Sequence, residues 1–115
     1  MNSATKQKDA ILSILDEHKA TDLVDIEVSE FNPYASFVVI ATCPNPRSLG
    51  ALKEILGEEL AKKEIEVEVT DGEPDSGWVI VATDEVIVHL LLEGNRRELN
   101  LEGLLDQLAH KIGKA

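Results

Sequence analysis

Asp25 and Glu27 stand two apart in an alternating run, so on a strand their carboxylates would point to one face. Joined by Asp84 or Glu85 from another strand, they could hold a divalent cation of the kind that metal-dependent nucleotidyl transfer uses. Any acidic edge strand carries the same spacing, so the pattern alone does not single out a metal centre. Cys43 is the sole cysteine and lies just past an apolar run, between Thr42 and Pro44. The histidines, His18, His89 and His110, show no ligand spacing among themselves, and no nucleophile–base–acid arrangement or glycine-rich phosphate loop is present. The expectation is a protein that is not an enzyme and needs neither cofactor nor metal, with a metal-dependent nucleotidyltransferase-like enzyme as the alternative.

The remaining candidates suit binding. His89 alternates with Ile87 and Leu91, which fits a hydrogen-bonded core histidine or one element of a binding patch. Trp78, the only tryptophan, is either a core anchor or an interface hot spot. Arg96 and Arg97 precede the final amphipathic stretch. One is expected to pair internally with a carboxylate such as Glu93 or Asp75, and the other to face a partner.

The elements that must position these residues are legible from periodicity. Trp78 to Ala82 and Val86 to Leu92 are apolar β-branched runs separated by Thr83, Asp84 and Glu85, the pattern of a hairpin buried on both faces in mid-sheet. Leu23 to Ser29 alternates strictly, with Val24, Ile26 and Val28 on one side, which predicts a half-solvated strand near an edge. A turn at Phe31 to Tyr34 leads to a central strand at Phe37 to Ala41, and Ile65 to Thr70 predicts a second half-exposed strand. Helices are expected from Thr5 to Lys19, with Ile11, Ile14, Leu15 and His18 as the stripe, and from an Asn45 cap with Pro46 at the first position to Lys62-Lys63. A last helix, capped by Asn100, would bury Leu101, Leu104, Leu105, Leu108 and Ile112. Asp71 to Gly77 is the most turn-rich segment. This order gives an α/β fold, a mixed five-stranded sheet flanked by helices with parallel pairing in at least part of the sheet.

The chain has 115 residues, which suits one domain with a single core. Eleven lysines and arginines against 22 acidic residues give a net charge of −11. Such a surface repels nucleic-acid phosphates and attracts a basic protein. No apolar run approaches the length of a membrane span, and the lone cysteine suits a reducing compartment, so a cytoplasmic location is expected.

Trp78, an acidic turn, Val86-Ile87-Val88-His89, then Glu93, Arg96, Arg97, Leu101-Glu102 and Leu104 resemble, without a gap, the C-terminal signature of the ribosomal silencing factor or Iojap-related family. Phe37 to Thr42 followed by Arg47 resembles the family's earlier strand and loop, so the likeness spans roughly Ala20 to Leu105 of a single domain covering 1–115. It implies a mixed sheet distantly like nucleotidyltransferases. It also implies a translational repressor that binds large-subunit ribosomal protein fourteen, blocks subunit joining by bulk and takes part in large-subunit biogenesis. The partner-binding residues so implied are Asp75, Trp78, Glu85, His89, Glu93, Arg96 and Arg97. Separately, an exposed apolar patch awaiting a partner would allow a homodimer when the protein is free. Ser36, Cys43, the Asp84-Glu85 pair, Leu99 and Leu105 depart from the family's usual residues, the last two replacing aromatic side chains.

Overall fold

Five β runs join into one sheet in the order β1-β2-β5-β4-β3. The computed structural model describes residues 3–18, 20–28 and 35–99. Along the chain these are α1 (Ser3–Glu17), β1 (Thr21–Glu27), β2 (Phe37–Cys43), α2 (Pro46–Lys62), β3 (Val69–Asp71), a 3-10 turn (Pro74–Ser76), β4 (Trp78–Ala82), β5 (Val86–Leu92) and α3 (Glu93–Leu99). β2 and β5 are parallel, whereas β1–β2, β4–β5 and β3–β4 are antiparallel. The expected mixed five-stranded sheet flanked by helices is therefore formed. The turn at Phe31–Tyr34 and the helix expected from Asn100 onward, with Leu105 and His110, lie outside the described residues.

The helices owe their ends to local chemistry. Asn45 is extended, and its Oδ1 accepts from the Ser48 amide at 2.9 Å, while Pro46 fills a first-turn position that needs no donor. Leu49, Leu52, Leu56 and Leu60 then form the buried stripe of α2. At the other end Glu64 turns left-handed at φ 62°, so that its amide reaches the Ala61 carbonyl and the Ile65 amide reaches that of Leu60. This is the paired-bond helix stop usually built on glycine. In α1 the buried side is Ala4, Gln7, Ile11, Ile14 and Leu15, and His18 is exposed rather than part of the stripe.

The core lies between α1, α2 and one face of the sheet, where Ile11, Leu15, Leu49, Leu56 and Leu60 meet Val39, Val79, Val81, Val88 and Leu90. A polar latch fixes α1 to the β4–β5 turn: Thr83 Oγ1 donates to Gln7 Oε1 at 2.7 Å, and Gln7 Nε2 donates to Asp84 Oδ1 at 2.8 Å. Both Gln7 and Thr83 are buried, so each bond satisfies a group that water does not reach.

Three expectations require correction. The hairpin is not buried on both faces: β4 alternates half-buried and buried, with Trp78, Ile80 and Ala82 on the open side. The strand expected at Ile65 to Thr70 is only Val69–Asp71. The Glu68 amide donates to the Ala82 carbonyl, the residue that Val69 also opposes, so two residues share one partner and the alternation flips there. Ile65 and Val67 consequently pack on the helix side, while Val69 emerges with 55 % of its surface exposed. Finally, α3 begins at Glu93 directly from β5, so Arg96 and Arg97 lie within a helix instead of preceding one.

Candidate functional site

The sheet face opposite α1 and α2 carries the residues singled out by the sequence. Strand register puts Trp78 beside Leu91, Ile80 beside His89 and Ala82 beside Ile87, with Val38 and Ile40 next in the same rows. Towards β1 and β2 this face is closed, with Val28, Ala35, Val38, Ile40 and Leu91 buried. Towards β4 it opens onto half-buried Trp78, Ile80, Ala82, Ile87 and His89.

Trp78 and His89 are bonded to one another. The indole Nε1–H donates to His89 Nδ1 at 3.0 Å, and the rings lie 5.8 Å apart, tilted by 31°. An accepting Nδ1 carries no proton, so the imidazole is neutral and its hydrogen resides on Nε2. Burial pushes the His89 pKa down to about 4, which keeps it neutral at physiological pH. The pair thus fixes the indole on a largely apolar surface, and each of the two side chains is packed yet only half-buried.

The end of the sheet near Trp78 is braced by a turn that only glycine can make. Gly77 has φ 83°, and a Cβ there would sit 2.4 Å from Asn95 Oδ1. Asn95 Nδ2 donates to the Ser76 carbonyl at 3.0 Å, and the Leu92 amide donates to the Gly77 carbonyl at 3.0 Å. These bonds hold the first turn of α3 against the segment entering β4. Sequence reasoning passed over Asn95, because nothing local indicated a distant carbonyl partner.

The two arginines make different contacts, and Arg97 takes the Glu93 carboxylate expected for one of them. Arg97 Nη2 lies 3.4 Å from Glu93 Oε1, one helical turn away, with both side chains 77 % exposed. Arg96 turns inward, donating from Nη1 to Thr42 Oγ1 at 2.7 Å and to the Asp22 carbonyl. Asp22 offers that carbonyl because its φ is 50°, within the register shift that separates Thr21 from Val24 in β1. Asp75 is exposed in the 3-10 turn that leads to Trp78. Glu85 lies in the turn at the far end of the β4–β5 hairpin, where its carbonyl accepts from the Ser36 and Phe37 amides. The structure therefore gathers Trp78 with His89 and sets Glu85 apart from them.

The groups with chemical potential are otherwise occupied. Cys43 is buried, and desolvation raises its thiol pKa to about 11, the reverse of what a nucleophile requires. Asp25 lies 3.4 Å from Lys8 Nζ, and among the described residues no group of three His, Cys, Asp or Glu side chains could hold a metal ion. The third carboxylate that the metal-dependent alternative needs is thus not brought to Asp25 and Glu27. A recess of about 300 Å³, lined by Thr21, Thr42, Cys43, Pro44 and Glu93, lies at the carboxyl end of β2, where open α/β sheets often bind ligands. Its one carboxylate and one protonated thiol supply no catalytic set. No helix among the described residues is long and apolar enough to cross a membrane.

Comparison with known proteins places this geometry in context. The sequence model of a family described as "Ribosomal silencing factor during starvation" matches residues 1–113. A crystallised protein from Chromobacterium violaceum is 20% identical, with a TM-score of 0.86 over 91% of this chain and 88% of its own. Another from Bacillus halodurans is 21% identical, with a TM-score of 0.77 over 87% of this chain and 93% of its own. At these identities the likeness is one of fold. No curated protein matches the sequence.

Proposed function

Since the chain belongs to the ribosomal silencing factor family, we propose that it lays the open half of its sheet face on large-subunit ribosomal protein fourteen and thereby prevents the subunits from joining. The observation that carries this reading is the half-buried, largely apolar surface around Trp78 on the face opposite α1 and α2, with the indole held by His89. A half-exposed tryptophan already fixed by a hydrogen bond loses little freedom on binding, which is what an interface anchor requires. The net charge of −11 would draw a basic partner and speed its approach.

Steric exclusion needs a broad contact and no catalytic group. On this reading the protein is a cytoplasmic translational repressor with no chemistry of its own. Trp78 and His89 form the centre of the contact, Asp75, Glu93 and Arg97 supply its charged rim, and Arg96 supports it from below. Glu85, at the other end of the hairpin, would touch the partner only if the contact runs the length of β4 and β5.

Sedimentation through sucrose gradients tests the proposal. The protein should travel with free large subunits and be absent from assembled ribosomes, and Trp78→Ala should weaken that association while the far-ultraviolet circular dichroism stays near that of the parent. Recovery only at the top of the gradient would refute it.

A further inference from the structure

Among the described residues β3 is the outermost strand on its side of the sheet, bonded there to β4 alone, and Val69, Thr70 and Asp71 are all exposed. An edge of this kind offers a row of backbone donors and acceptors to any extended chain. Just before it, the end of α2 and the segment 64–67 enclose an open groove of about 460 Å³, lined by Gly57, Ala61, Glu64, Ile65, Glu66 and Val67. Its floor is apolar and its lip acidic. From position 64 to 77 the chain carries Glu64, Glu66, Glu68, Asp71, Glu73 and Asp75 with no lysine or arginine.

We propose that the β3 edge and this groove together form a second docking site, which takes an extended lysine- or arginine-bearing segment of another protein by strand addition. The backbone of the guest would continue the sheet beyond β3. Side chains alternate along a strand, so one set would enter the groove beside Ile65 and Val67 while the other meets the carboxylates. Charge decides among possible guests: a second copy of the same acidic edge is repelled, and so is a nucleic acid, whereas a basic segment is attracted. The site lies on the outer edge of β3 and in the groove before it, on the far side of β4 from His89, and does not depend on the function proposed above.

The full-length protein can be titrated into a short fluorescein-labelled peptide of alternating valine and lysine, followed by anisotropy, with amide shifts recorded by NMR. Binding should shift the amides of Glu68 to Asp71 and weaken at least about tenfold between low and high salt, because the Debye length shrinks from about 10 Å at 0.1 M to about 3 Å at 1 M. The exposed double substitution Glu66→Lys/Glu68→Lys should weaken it about tenfold or more, as like charges then face each other. Gly57→Leu should also weaken it while leaving the melting temperature equal or higher. A Cβ at Gly57 meets nothing within 4 Å, so the new side chain enters the groove and not the core. Should Gly57→Leu disturb the fold, the charge substitution carries the test. Absence of binding, equal binding of a lysine peptide with proline in place of valine, or amide shifts confined to the Trp78 face would each overturn the proposal.

Discussion

Lowering the pH from 7.5 to 5 should cost this fold about 2 kcal/mol through His89 alone, because the side chain is held neutral when folded and gains a proton when unfolded. The unfolded imidazole titrates near 6.5 and the folded one at about 4. Above pH 6.5 neither state is charged, so the group is silent. As pH falls through 6.5 the unfolded chain takes up the proton first, and the penalty grows until the folded state is protonated as well. The full difference corresponds to about 3 kcal/mol, reached below pH 4. Protonation also turns Nδ1 into a donor facing the Trp78 Nε1–H, which breaks the 3.0 Å bond. The chain's many carboxylates will change stability in the same range, so the measurement must be differential. Urea unfolding of the protein and of His89→Gln, whose side chain accepts a hydrogen bond but does not titrate, should be compared at pH 7.5, 6, 5 and 4.5. The parent should lose about 2 kcal/mol relative to the variant by pH 5. A gap that stays constant, or that moves in favour of the parent as pH falls, would refute the assignment of a neutral His89.

Glu64→Gly should raise stability by about 0.5 to 1 kcal/mol, since glycine adopts the left-handed conformation at φ 62° without strain and removes a carboxylate from a helix C-terminus; thermal unfolding reads it directly. Gln7→Ala should cost about 1 to 3 kcal/mol in urea unfolding, because buried Thr83 Oγ1 then exchanges its 2.7 Å acceptor for the Val86 carbonyl at 3.4 Å and the hydrogen bond from the Gln7 amide to Asp84 is lost. Cys43 should react with a thiol reagent at pH 8 about a hundredfold more slowly in the folded than in the unfolded protein on ionisation grounds alone, given a thiol pKa of about 11 against 9. Equal rates would mean that the thiol is not buried as described.

What the sequence by itself determined is the set of elements and their inward faces. Leu49, Leu52, Leu56 and Leu60 recur at helical spacing, Asn45-Pro46 marks the start of α2, and the apolar runs of β2, β4 and β5 leave little choice of conformation. Such features are local, fixed by side-chain period and backbone sterics within a few residues. The family resemblance drew on the same local runs, and it is matched over residues 1–113.

The rest depended on contacts between residues distant in the chain. Trp78 and His89 are eleven positions apart, and only the β4–β5 register brings the indole to the imidazole. Whether Val69 continues the stripe of Ile65 and Val67 depends on the Ala82 carbonyl accepting from Glu68. Arg96 finds its oxygens on β1 and β2, 74 and 54 residues away. Periodicity assigns a side chain to a face of its own element, but it cannot say whether a neighbour covers that face. That was settled when α1 and α2 packed on one side of the sheet, while Trp78, Ile80, Ala82, Ile87 and His89 on the other side stayed half-buried.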